Sequence, residues 1–279
     1  MPFVTPRSLR HAVAAAWLAL PLADAAQTVF TATGTAADIT PEVNGMRAAL
    51  GTLNPNQPTT FAGGRREINW DAVPDARADP NLFPGDFFNG NVAPRARGIV
   101  FSTPGTGFLV SANAGAAVPT AFGFPADFVA FSAQRMFAPV GSVITDVRFF
   151  SPADQKTAAT TTGFGAVFED VETEGLSKLE YFDLGDRLLA TVVVPHNAAS
   201  ASLSFGGAVF DQSLVARVRI HTGDGVLLAN GLFGSGTDGV VMDDFLFGEP
   251  LPVPEPQTWA LMLGGATALL GWSRRRRAA

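Results

Sequence analysis

The chain has 279 residues, a formal net charge of −6, three histidines and no cysteine. The missing thiols exclude cysteine nucleophiles, iron–sulfur centres and cysteine zinc sites, and so few imidazoles leave little for a transition-metal centre. Residues 1–25 carry +1 and residues 254–279 carry +3, so the body between them carries −10; phosphate contacts need clustered Lys and Arg, and a nucleic-acid-binding body is excluded.

The N-terminus has the order of an export signal. Arg7, Arg10 and His11 precede an apolar stretch, Ala12 to Leu22, and Ala23-Asp24-Ala25 offers a small-x-small cleavage site between Ala25 and Ala26. Residues 1–25 are therefore expected to leave as a signal peptide, with the Sec translocon as export partner. The exported setting would permit disulfides, but none can form, so stability must rest on core burial. The body of about 230 residues is long enough for that.

Residues 26–96 are expected to be loop-rich and packed on the main domain, with one short helix. Thr40 suits its N-cap, Pro41 its first position and Gly51 its end, which places Val43, Met46 and Leu50 on one face. A strand is expected around Ile68–Asp71, with Trp70 and the pair Phe87-Phe88 as packing anchors.

Residues 97–249 read as all-β. Short β-branched and aromatic runs alternate with Gly, Asp, Asn and Pro. The expected strands are Gly98–Ser102, Gly107–Ser111, Phe128–Ser132, Val143–Phe150, Gly165–Asp170, Lys178–Phe182, Leu188–Val194, Ala201–Phe210, Leu214–Thr222 and Val240–Phe247. Alternation is clearest in two of them. Ala216, Val218 and Ile220 oppose Arg217, Arg219 and His221, and Thr145, Val147 and Phe149 oppose Ile144, Asp146 and Arg148. One wet face per strand favours antiparallel pairing. Asp183-Leu184-Gly185-Asp186 and Gly223-Asp224-Gly225 are expected hairpin turns, the second leading into a strand at Val226–Leu228. The predicted fold is an antiparallel β-sandwich of jelly-roll or lectin-like type.

Candidate chemistry is sparse. Gly234-Ser235-Gly236-Thr237-Asp238-Gly239 matches a dinucleotide fingerprint by spacing, but strand-like residues follow it where a helix is required. His196 and His221 are the only imidazoles of the body, one beside a proline and one on a polar strand face, and no nucleophile elbow accompanies them. Glu169, Asp170, Glu172, Glu180, Asp243 and Asp244 are the carboxylates a glycosidase would draw on. Calcium is the more natural site chemistry, with Asp170, Glu172 and Asp238 as its candidate ligands. Asp243 and Asp244, adjacent on a strand, are expected to point to opposite faces. No catalytic residue is assigned, and the body is read as noncatalytic.

The C-terminus has three parts. Residues 250–257 form a linker holding Pro254, Glu255 and Pro256; residues 258–273 form an apolar run between Trp259 and Trp272; and Arg274, Arg275, Arg276 and Arg277 lead the basic tail, 274–279. As a helix, the uncharged stretch would rise about 1.5 Å per residue, covering roughly 21 Å of a ~30 Å hydrocarbon core. Such a segment suits temporary anchoring, with the arginines cytoplasmic. This ending resembles the PEP-CTERM sorting signal of Gram-negative bacteria. The resemblance implies recognition and cutting by an exosortase, transient inner-membrane anchoring, and delivery to the outer cell surface or extracellular matrix.

The body is also similar to a recurrent type of PEP-CTERM passenger through Gly163 to Val171, Leu179 to Asp183, Gly206 to Phe210 and Met242 to Phe245. That resemblance implies a lectin-like sandwich and an association with extracellular polysaccharide. The body's only Trp and Tyr, Trp70 and Tyr181, fall short of the exposed platforms that sugar binding often uses.

Overall fold

The computed structural model describes residues 26–113 and 120–253. In chain order its strands are β1 (Gln27–Gly34), β2 (Arg65–Ile68), β3 (Ile99–Ser102), β4 (Gly107–Val110), β5 (Phe137–Val140), β6 (Ile144–Phe150), β7 (Ala158–Thr160), β8 (Gly163–Glu169), β9 (Lys178–Phe182), β10 (Leu188–Val193), β11 (Leu203–Phe210), β12 (Arg217–His221), β13 (Val241–Gly248) and β14 (Leu251–Pro252). One α-helix, α1 (Ala36–Leu50), follows β1. The strands form two seven-stranded sheets. The first runs β1-β11-β8-β13-β5-β4 with β2 also on β13; the second runs β10-β9-β12-β6-β7-β14 with β3 also on β6. Every ladder is antiparallel, and the fold is an all-β sandwich with one helix.

The main core lies between the sheets. Phe164, Ala166 and Phe168 of β8 and Met242, Phe245 and Phe247 of β13 meet Val147 and Phe149 of β6, Tyr181 of β9, and Val218 and Ile220 of β12. Trp70 anchors one end of it, stacked on Phe137 with ring centroids 4.1 Å apart. Its indole N–H donates to the Asp243 carbonyl at 3.0 Å, so even this buried ring leaves no polar atom unmet.

The sheets differ on their outer faces. The second presents a lattice of charge, in which Asp146 accepts from Arg217 at 3.0 Å and from Arg219 at 2.8 and 2.9 Å, while His221 meets Glu180 at 3.1 Å. This is the wet face that alternation predicts. The first sheet is covered outside as well. Ile39, Val43, Met46 and Leu50 of α1 pack on Val167, Leu203, Phe205 and Leu246, and Phe122, Phe128 and Met136 of the long loop between β4 and β5 pack on Leu109, Ala138 and Val241. Covered on both faces, β8 and β13 are buried along their whole length.

Several expected elements are corrected. The helix begins at Ala36, with Thr35 as N-cap, its amide and hydroxyl donating to the Asp38 carboxylate at 2.8 and 2.6 Å. Thr40 and Pro41 therefore lie inside it, which is tolerable because Ala37, whose carbonyl the proline leaves free, faces solvent. The strand expected around Ile68–Asp71 is Arg65–Ile68; it stops where Trp70 turns to a φ of 64°. Residues 128–132 are loop, and the strand is Phe137–Val140 instead. Pro139 argues against a strand, but β13 pairs with β5 only at Phe137, so no donor is needed there. Val226–Leu228 is no strand; Leu227 bridges only Phe233 around Asn230-Gly231. The edge strand β1 has no counterpart among the expected elements, because only Phe30, Ala32 and their α1 contacts give it an apolar side.

Candidate functional site

Sheet geometry gathers the carboxylates of β8 and β13 on the outer face of the first sheet. Glu169 follows Val167 by two residues and shares its face. On β13, Met242 pairs with Phe168 and Phe245 with Ala166, so Asp243 and Asp244 together stand opposite Val167 alone. This is a β-bulge, and it overturns the expectation that the two aspartates face opposite ways. Both reach Ser132: its amide donates to Asp243 at 2.9 Å, and its hydroxyl lies 2.6 Å from Asp244 and 3.3 Å from Asp243. Arg47 of α1 meets Asp244 at 3.1 Å and Glu67 at 3.0 Å.

These acids are sealed from solvent. Glu169 and Asp243 are 0 % exposed and Asp244 4 %. Both Glu169 oxygens lack a hydrogen-bond partner, and burial, then Asp243 and Asp170, push its carboxyl well above the usual range. The Val129 amide pulls the other way and does not offset them. Burial likewise raises Asp243, with Asp244 adding to the effect, and raises Asp244 against the pull of Ser132 and Arg47. A substrate cannot reach this trio in the folded state.

The next residue along β8 has a different setting. Asp170 adopts a φ of 63°, a left-handed conformation that Asp tolerates better than most residues, and this ends the strand. The turn carries its side chain off the sheet face to a cavity of about 270 Å³ at the loop end of the sandwich. Asp127, Asp170 and Glu172 line it together with the rings of Phe124, Phe128 and Phe233. Phe124 meets Phe128 and Phe233 edge-on, and Phe128 and Phe233 are tilted to each other, with centroids 5.6 to 5.9 Å apart. Asp170 is only 7 % exposed, and its Oδ1 is buried without a partner. Burial first, then Glu172 and Asp127, push its carboxyl up to about 7.

Of the three expected calcium ligands, the structure brings Asp170 and Glu172 to one cavity. Asp238 sits behind it, accepting the amides of Glu172 and Thr173, each at 3.1 Å, so its carboxylate clasps the loop. Among the described residues, no three His, Asp or Glu side chains have metal-binding geometry. Asp127 and the Phe rings are contributors that sequence reading missed; Phe124, Asp127 and Phe128 come from a loop about 40 residues upstream of β8 and Phe233 from the connection between β12 and β13, and only the fold brings them together.

The other candidates are dispersed. Glu180 is paired with Lys178 at 3.0 Å and with His221, and these partners hold its carboxyl below the usual value despite burial. His196 is exposed on a loop. Gly234–Gly239 is a turn region whose Thr237 and Asp238 amides donate to Asp224 at 2.7 and 2.8 Å, and β13 follows it. Ala26 opens the described chain and lines a groove with Leu251, so the two ends of the body lie together. Ala25, Pro254, Glu255, Pro256 and Arg274 to Arg277 lie outside the described residues, as does the apolar run 258–273. Among the described residues, no helix is long and apolar enough to cross a membrane.

No curated protein and no solved structure matches the chain. The model of the PEP-CTERM protein-sorting motif matches residues 252–277. Those residues begin at the second residue of β14, whose ladder with β7 is continued by a bond from the Val253 amide to the Ala158 carbonyl at 2.9 Å. The sorting motif is thus joined directly to the sandwich, and the chain is an exported protein that carries a PEP-CTERM signal and is targeted to exosortase.

Proposed function

We propose that the body is a noncatalytic passenger, exported through the Sec translocon and released by exosortase to the outer cell surface or extracellular matrix, where it has a structural, adhesive or polysaccharide-associating role. The observation that carries this reading is a sorting motif joined to a sandwich whose open acidic feature is a loop-end cavity of about 270 Å³. Glycoside hydrolysis needs two carboxylates facing a substrate. Glu169, Asp243 and Asp244 are buried beneath a loop, and Glu180 is held in ion pairs, which favours binding over hydrolysis.

Two measurements test the reading. Cells expressing the wild type should release the body from the inner membrane, and a variant with Pro254, Glu255 and Pro256 all changed to Ala should retain it. Equal retention of both would overturn the sorting part. Extracellular polysaccharide from the producing cells should bind the purified full chain without shortening. Chain cleavage of the polysaccharide would replace the binding role with an enzymatic one.

A further inference from the structure

A sheet ends in a strand with one unpaired side, and three of the four sheet ends in this sandwich are blunted. β4 is flanked by a loop whose Asp79 and Phe83 amides donate to the Val110 and Phe108 carbonyls at 2.7 and 2.8 Å. β10 carries a bulge between Leu188 and Ala190, and β14 is two residues long and contains Pro252. β1 has none of these devices. It runs for eight residues in unbroken register with β11, and Gln27 to Gly34 includes no charge and no proline.

The ladder with β11 fixes which backbone groups of β1 are left over. The Asp211 amide donates to the Ala26 carbonyl at 3.1 Å, while the Phe210 amide turns the other way, to the Thr162 carbonyl at 2.7 Å. Bonded and non-bonded pairs alternate in an antiparallel ladder. Thr28, Phe30, Ala32 and Gly34 therefore aim their amides and carbonyls at β11, and Gln27, Val29, Thr31 and Thr33 aim theirs outward. Among the described residues, no hydrogen bond meets those outward groups. Gln27, Val29 and Thr31 are exposed, Val29 by 46 %. Val29 and Thr31 share the inner face of Ala208 and Gly206, their register partners, but the second sheet ends at β10 and leaves the valine open to solvent.

We infer that β1 pairs with β1 of a second copy of this chain, antiparallel across a two-fold axis between the two Phe30 residues. A two-fold axis normal to the sheet joins each face of one copy to the same face of the other, so only residues of one face can stand opposite each other. Centring it on Phe30 sets Gln27 against Thr33 and Val29 against Thr31. All the outward residues of both copies then fall in bonded pairs, each pair exchanging two hydrogen bonds. A centre at Val29 or Thr31 would leave Thr33 or Gln27 with no strand residue opposite it. The two Phe30 side chains meet on the α1 side, in the closer, non-bonded type of pair, and no charge faces a like charge across the axis. Because the pairing uses up the open edge of each copy, the assembly closes as a dimer.

The test uses the chain freed of its signal peptide, with the sorting tail intact, purified in detergent and weighed by sedimentation. The wild type should be a dimer at micromolar concentration. Thr31→Pro removes an outward donor that β11 does not use, so the fold is kept, but the dimer loses a hydrogen bond on each side of the axis and should weaken about tenfold or more. Association through the apolar tail is indifferent to this change, so an undiminished Thr31→Pro dimer would overturn the inference, as would a monomeric wild type or an open series of larger species. A second measurement reads the register without relying on the proline variant. The chain has no cysteine, so Val29→Cys and Thr31→Cys each introduce its only thiol. In a mixture of the two variants the thiols stand opposite each other, with Cα atoms about 5.5 Å apart and within disulfide reach; in either variant alone they are diagonal neighbours about 7–8 Å apart, beyond it. Mild oxidation should link the mixture into dimers and give several-fold less in either variant alone. Equal yields in all three samples, or none in the mixture, would overturn the pairing.

Discussion

Buried charge is handled in two opposite ways in this molecule. Arg66 and Glu249 are both fully buried, but they pair through two bonds at 2.7 and 2.8 Å, and Arg66 also donates to the Ala96 and Thr59 carbonyls at 2.5 and 2.8 Å. Removing one partner strands the other charge. Arg66→Ala should therefore lower stability by about 3–5 kcal/mol, whereas Arg66→Met with Glu249→Leu should lose much less, as read from denaturant midpoints. Glu169 has no such partner. Its carboxyl is raised, so the folded state holds the proton more tightly than the unfolded chain does. The stability this group contributes is complete below its unfolded value, about 4.3, and is lost as pH rises through its folded value. Glu169→Gln should flatten the fall in melting temperature between mildly acidic and alkaline buffer, with its largest gain at the alkaline end. An unchanged slope would mean that the carboxyl is solvated or paired in solution.

Two elements decide where the acids go. The bulge in β13 turns Asp243 and Asp244 to one face, and the left-handed Asp170 ends β8 so that Glu169 enters the sheet cover while Asp170 enters the cavity. A third element, α1, is seated by a gap in the sheet. Gly165 and Gly207 are register partners on β8 and β11, and a Cβ at either would come within 2.5 Å of the Met46 sulfur. Met46 therefore fills a hole that two glycines leave open. Met46→Ala should cost about 2–5 kcal/mol by emptying it, seen as a drop of several degrees in melting temperature. Gly207→Ala should also destabilise, because the new methyl meets the Gly165 Cα at 3.0 Å as well as the methionine.

At the scale of the whole molecule, stability should peak in mildly acidic solution. Asp146 is lowered because hydrogen bonds from Arg219 and Arg217 outweigh its burial, so its contribution is present above the unfolded value, about 3.9, and is lost as pH falls. Asp170 is raised to about 7, so its contribution is complete below about 3.9 and is lost as pH climbs through 7. Melting curves across that interval should fall on both sides, and a monotonic rise to alkaline pH would contradict the assignment of Asp170. Much of this architecture is legible in the chain. The sorting tail is a contiguous order of motif, apolar run and arginines, and the strands of the second sheet alternate because one face of that sheet is wet, as Val147 and Phe149 against Asp146 and Arg148 illustrate. The first sheet is less readable: α1 and the long loop cover its outer face, so β8 and β13 have no solvent-facing side by which register could be read. By itself the sequence determined export, the sorting signal and an antiparallel β body, because these depend on local order and period. Only the tertiary structure decided that Asp243 and Asp244 share a face, that Glu169 is sealed away, and that Asp127 and three phenylalanines join Asp170, because bulges and loop closure bring together residues that lie far apart along the chain.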